Sequence, residues 1–161
     1  MTDKHTLSLA TLVQWLLDDA CAAGRYVLRA YLIQFIPVVV LGLCLSALLD
    51  GPGTSRPSRP GSLLLGMLIL APVVENLLMV GALSLLSGVH SPARRAAIVG
   101  LIFGILHALV TPLGIVAVWS FFVFGMTFLG RSSHGFWHAY LVSVAVHALG
   151  NVVPAVALVV L

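Results

Sequence analysis

Four side chains in this sequence have the types needed for acid–base chemistry on an amide: Glu75, His107, His147 and Asn151. Each lies inside a long run of Leu, Val, Ala, Gly and aromatic residues. A carboxylate in such a place can take a proton from water as a general base, and a neighbouring imidazole can share that proton. A second imidazole with a carboxamide can donate hydrogen bonds to a developing oxyanion. Glu75, His107 and His147 are also the donor types of a zinc site that keeps one position open for water. No His-Glu-x-x-His run accompanies them, so residue types leave the metal and metal-free readings both open. Ser143 lies one helical turn before His147, but no intramembrane Asp is present to orient that imidazole as a serine triad requires.

The elements that must position these groups are read from hydropathy. Five apolar runs, at about 30–49, 62–88, 96–110, 113–129 and 138–161, approach the ~20 residues that cross a hydrocarbon core. Glu75 falls in the second run, His107 in the third, and His147 with Asn151 in the fifth. His147 and Asn151 are four residues apart and so share a helix face, with Tyr140 and Ser143 close to it. That face should turn toward the bundle interior. Pro72, three residues before Glu75, is expected to disturb its helix. Gly100 and Gly104 have the small-x-x-x-small spacing of close helix packing. Before the first run, residues 7–29 read as one amphipathic helix lying along the membrane surface, with Leu9, Leu12, Val13, Leu16, Leu17 and Ala20 on its apolar face. The expected organisation is therefore an N-terminal interfacial segment at 1–29 and an all-α, polytopic transmembrane helix bundle of about five spans at 30–161. No internal repeat is evident.

Composition supports this class. Of 161 residues, 60% are hydrophobic and only 8% charged, with a mean hydropathy of +1.12. A soluble domain carries about 25% charged residues, so lipid must be the main solvent. The formal charge of +3 does not indicate nucleic acid, because the basic residues flank the apolar runs. With five spans, Lys4, Arg25, Arg29, Arg94, Arg95 and Arg131 share one side, against Arg56 and Arg59 on the other. This places the N-terminus in the cytoplasm and the C-terminus outside. Asp18 and Asp19 stand where a signal peptide would need small residues. Cys21 and Cys44 read as small apolar residues rather than a disulfide. His5, His90, His134 and His138 read as interfacial, and Trp15, Trp119, Trp137 and the tyrosines as membrane anchors or packing.

At the polar residues the chain resembles the CPBP family of intramembrane peptidases, which includes the CAAX prenyl proteases and bacterial Abi proteins. The family's Glu-Glu-x-x-x-Arg motif, often followed by Gly, aligns with Glu75–Gly81. Its Phe-x-x-x-His motif matches Phe103–His107, and its His-x-x-x-Asn motif matches His147–Asn151. The resemblance covers about residues 62–157. Two positions depart from it: the second Glu is Asn76 and the Arg is Val80. Losing both members of an ion pair together leaves neither charge unpaired in lipid.

The resemblance implies an endopeptidase in which Glu75 activates water with help from His107, while His147 and Asn151 stabilise the oxyanion. No cofactor is required on this reading; a divalent metal such as zinc, if present, would sit on Glu75, His107 and His147. The implied substrate is a membrane-associated protein or peptide of sorting-signal, pheromone or bacteriocin type, and the implied location is a bacterial inner membrane. The alternative is a non-catalytic CPBP-like scaffold or immunity protein, motivated by Asn76 and Val80. A proton-coupled transporter built on Glu75 is a third reading, disfavoured by the lack of repeats.

Overall fold

A computed structural model describes residues 8–48 and 64–160, and every regular element among them is helical. Helix α1 spans Leu9–Leu17 and α2 spans Ala23–Leu48. A π-turn at Gly66–Leu70 runs directly into α3, Ala71–Leu85. Helix α4 spans Pro92–Ala108. A 3-10 segment at Pro112–Val116 leads into α5, Ala117–Arg131, and another at Ser132–His134 leads into α6, Phe136–Val160. The chain is an all-α polytopic bundle of an integral membrane protein. Four stretches are long and apolar enough to cross a membrane: Ala23–Leu48, Gly66–Leu85, Pro112–His134 and Phe136–Val156. The third of the five expected spans falls on α4, which has 17 residues, about 25 Å of helix. The expected polar loop at 50–61, with Arg56 and Arg59, lies outside the described residues, as do Lys4 and His5.

Helix α5 is the centre of the bundle. Its residues from Ser120 to Thr127 are all buried, and α1, α2, α3, α4 and α6 all pack against it. The outer helices turn their large apolar residues outward. On α2, Leu28, Leu32, Ile36, Val40 and Leu43 form an exposed stripe at helical spacing, which is the surface a lipid solvent calls for. Close packing falls to small residues. A Cβ at Gly104 would lie 2.7 Å from the Val118 nitrogen, and one at Gly100 would lie 2.6 Å from the Val118 oxygen. These two glycines hold α4 against the α5 backbone, as their spacing predicts.

The single helix expected at 7–29 is instead two helices. Its second half, Ala23–Arg29, is the start of α2, which runs on through residue 29 to Leu48. The Asp18 carboxylate accepts the Ala20 N–H at 3.2 Å, a local bond that competes with the helical pattern. Arginines then take the carbonyls that a continuous helix would have used. Arg29 donates to the Asp18 carbonyl at 2.8 Å, and Arg131 donates to those of Asp19 and Cys21 at 2.7 and 3.2 Å. Both guanidiniums lie over the Tyr26 ring, at 5.2 and 5.0 Å, within cation–π range. The Ala20 N–H, with Arg29 beside it, holds the Asp18 carboxyl below its ordinary value. The Ser133 hydroxyl, aided by His134, does the same for Asp19. Arg131, which reads in sequence as a loop cation, is buried and pins α1 to the end of α5.

Proline sets a second internal constraint. Pro37 lies inside α2 and lacks the N–H that would bond the Ile33 carbonyl. Trp119 on α5 donates to that carbonyl from Nε1 at 2.9 Å. One residue along each helix, Gln34 donates to Ser120 Oγ at 3.0 Å. Trp119→Phe keeps an aromatic ring but removes the donor, and is expected to cost about 1–3 kcal/mol. Adding Pro37→Ala restores a backbone N–H for Ile33 and should recover most of the loss. Reversible unfolding of the four chains of this double-mutant cycle in micelles measures the coupling, and strict additivity would remove the Ile33 carbonyl from the account.

Candidate active site

Three helices bring three of the four sequence-predicted residues together. Glu75 comes from the first turns of α3, His107 from the last turn of α4, and His147 from the middle of α6. Both imidazoles direct Nε2 at the same carboxylate oxygen of Glu75, His147 from 3.6 Å and His107 from 3.8 Å. The side chains of Glu75 and His107 are 28% and 38% exposed, whereas His147 is only 5% exposed. The group is therefore open on the side of α3 and α4 and closed at the back by α6.

Each imidazole is held by its other nitrogen. His107 Nδ1 lies 2.8 Å from the Phe103 carbonyl, one turn back on its own helix. A carbonyl only accepts, so this Nδ1 carries the hydrogen and Nε2 presents a lone pair toward Glu75 when the ring is neutral. His147 Nδ1 lies 3.2 Å from Asn76 Nδ2. Asn76 is fully buried, donates to the Pro72 carbonyl at 2.8 Å, and has its own oxygen 3.1 Å from the Ser143 hydroxyl. Tyr140 donates to the Val73 carbonyl at 2.7 Å and ties α6 to α3 two residues before Glu75.

Helix α5 supplies an aromatic floor. Phe124 stacks on the His147 ring at 4.3 Å, and Phe121 meets His147 edge-on at 5.5 Å and His107 at 5.3 Å. Phe103 packs on Phe121 at 4.5 Å. Residues 121 and 124 are three apart and so lie on one helix face; that spacing was the only sequence signal for them. The turn after His107 depends on Gly114, where a Cβ would lie 2.3 Å from the His107 oxygen. Gly104, one turn before His107, fixes how deeply that end of α4 sits on α5.

Asn151 does not join the group. Its Nδ2 donates to the Met67 carbonyl at 2.9 Å. Backbone chemistry explains why. In the π-turn, the Ala71 N–H bonds the Gly66 carbonyl five residues back. The next N–H in that pattern would serve Met67, but residue 72 is proline and has none. Asn151 satisfies the stranded carbonyl and holds α6 to the segment that carries Glu75. Asn151 is thus engaged with the backbone, outside the group formed by Glu75, His107 and His147.

Among the described residues, no group of three or more His, Cys, Asp or Glu side chains has an arrangement that could hold a metal ion. No family model matches the chain, and neither a curated protein nor a solved structure matches it.

The placement of Asn151 makes a stability prediction. Asn151→Leu is expected to cost about 1–3 kcal/mol by leaving the Met67 carbonyl bare. Pro72→Ala should offset much of that cost by supplying a backbone N–H. Thermal unfolding in micelles of the single and double variants tests this, and an unchanged midpoint in Asn151→Leu would show the bond to be dispensable.

Proposed function

We propose that this chain is an intramembrane endopeptidase of the CPBP kind, acting on a membrane-associated protein or peptide. The observation that supports it most is the convergence of two imidazole Nε2 atoms on one Glu75 oxygen, at 3.6 and 3.8 Å, from residues 32 and 40 positions apart. A charged group at bilayer depth is costly and is kept mainly where it has partners and a task.

In this reading the Glu75 carboxylate takes a proton from water as the water oxygen bonds to the peptide carbonyl carbon. The carbonyl electrons move to oxygen, and the N–H of His147 faces the resulting oxyanion. His107, whose Nε2 lone pair faces the same Glu75 oxygen, shares the abstracted proton. The proton then passes to the leaving amine as the C–N bond breaks, and the carboxylate is regenerated. The reading is metal-free. With α4 counted as a fifth span, its N-terminus is cytoplasmic, its C-terminus external, and its setting a bacterial inner membrane. The substrates that fit are C-terminal sorting signals, peptide pheromones or bacteriocins.

The second reading, a non-catalytic scaffold or immunity protein, draws on a different observation. Asn76, Ser143, Tyr140 and Asn151 all fasten α6 to its neighbours through hydrogen bonds, and none of these bonds requires catalysis. Glu75→Gln separates the two readings. It keeps the shape and removes the base, and is expected to slow cleavage by about 10²–10⁴-fold. Mass spectrometry of membrane-protein termini, in cells holding wild type or variant at matched expression, should show a defined terminus vanish with Glu75→Gln. Unchanged termini alongside an intact cellular phenotype would favour the scaffold.

A further inference from the structure

His107 and His147 look equivalent in sequence, and each aims Nε2 at the same Glu75 oxygen. The partners of their Nδ1 atoms, however, are opposite in kind. His107 faces the Phe103 carbonyl, which accepts. His147 faces the Asn76 amide at 3.2 Å. Which end of that amide points at the ring is fixed by its other contacts. The same atom lies 2.8 Å from the Pro72 carbonyl, which has no hydrogen to give, so it must be the nitrogen. The amide oxygen is left facing the Ser143 hydroxyl at 3.1 Å, whose one hydrogen it shares with the Phe124 carbonyl at 3.0 Å. One amide hydrogen goes to Pro72 and the other meets His147 Nδ1. That Nδ1 is therefore a lone pair, and the ring hydrogen sits on Nε2, facing Glu75.

We infer that Asn76 is a positioning residue that locks His147 in the Nε2–H tautomer. His147 is thereby a fixed hydrogen-bond donor at the Glu75 site, and neither a base nor a metal ligand. A metal ligand needs the Nε2 lone pair, which the lock removes, so the donor set of Glu75, His107 and His147 does not fit a zinc ion in the wild-type chain. The two imidazoles also differ in polarity at one carboxylate oxygen: His147 brings an N–H and His107 a lone pair. Asn76 is fully buried and Phe124 stacks on the ring it holds, so both partners sit in a closed environment. What the fixed donor is used for rests on the peptidase reading; the lock itself does not.

The lock is reversed by a change of one atom pair. Asn76→Asp replaces the donating nitrogen with an accepting oxygen. Nδ1 of His147 then carries the hydrogen and Nε2 becomes a free lone pair. The variant is expected to show the opposite tautomer and to retain zinc through gel filtration where the wild type does not. Asn76→Leu, which neither donates nor accepts, should give a mixture of tautomers.

The test is ¹⁵N NMR of the full chain in micelles with labelled histidine, the His147 signals being identified by their loss in His147→Gln. A wild-type spectrum with hydrogen on Nε2 is the expected result, and hydrogen on Nδ1 overturns the proposal even if no variant folds. The readout does not involve cleavage. An inactive chain with hydrogen on Nε2 would sink the peptidase reading and leave the lock standing, whereas an active chain with hydrogen on Nδ1 would do the reverse.

Discussion

A backbone carbonyl released inside a bilayer has no water to turn to, and every one must find a donor within the protein. Among the described residues, Pro37, Pro72 and Pro154 lie inside membrane helices, and the carbonyls freed by the first two are each met from a different helix. Trp119 serves the Ile33 carbonyl opposite Pro37, and Asn151 serves the Met67 carbonyl behind Pro72. These bonds fix the rotation of α2 against α5 and of α6 against the π-turn. The second matters most for the site. It sets the depth of the turn that leads into Glu75, and the same α6 carries His147 one turn before Asn151. Hydrophobic burial cannot supply such registration between helices in lipid, because the solvent is as apolar as the side chains.

Much of the site was legible in sequence for one reason: ionisable residues in apolar runs are conspicuous. Glu75, His107 and His147 stood out against their surroundings, and the structure brings them together. Asn76 and Asn151 were harder to read. Asn76 looked like the neutral remnant of a lost ion pair, yet it is the group that holds His147. Asn151 looked like an oxyanion donor, yet it is spent on a carbonyl that only the π-turn leaves bare. Both outcomes depend on backbone geometry that residue spacing does not encode. Gln34 went unremarked, although it is buried and bonded to Ser120.

The helical class, the burial of the polar face of α6 and the close approach at Gly100 and Gly104 followed from pattern. The break at 18–22 did not. Apolar periodicity continues across it, and what ends the helix is a side-chain bond from Asp18 together with arginines from α2 and α5. The decisive partner, Arg131, is more than a hundred residues away in the chain, beyond the reach of any local signal. Helix α4, with 17 residues, is shorter than a lone span and packs along α5.

The unequal exposure of the three site residues has a stereochemical consequence. Glu75 and His107 lie on the open side and His147 at the closed back. On the peptidase reading, a carbonyl whose oxygen points inward to His147 can offer only one of its two prochiral faces to a water held by Glu75 and His107. The opposite face is turned away from Glu75. The handed arrangement of three helices thus becomes a choice of attack face, and a peptide bound with its chain direction reversed would present the wrong one.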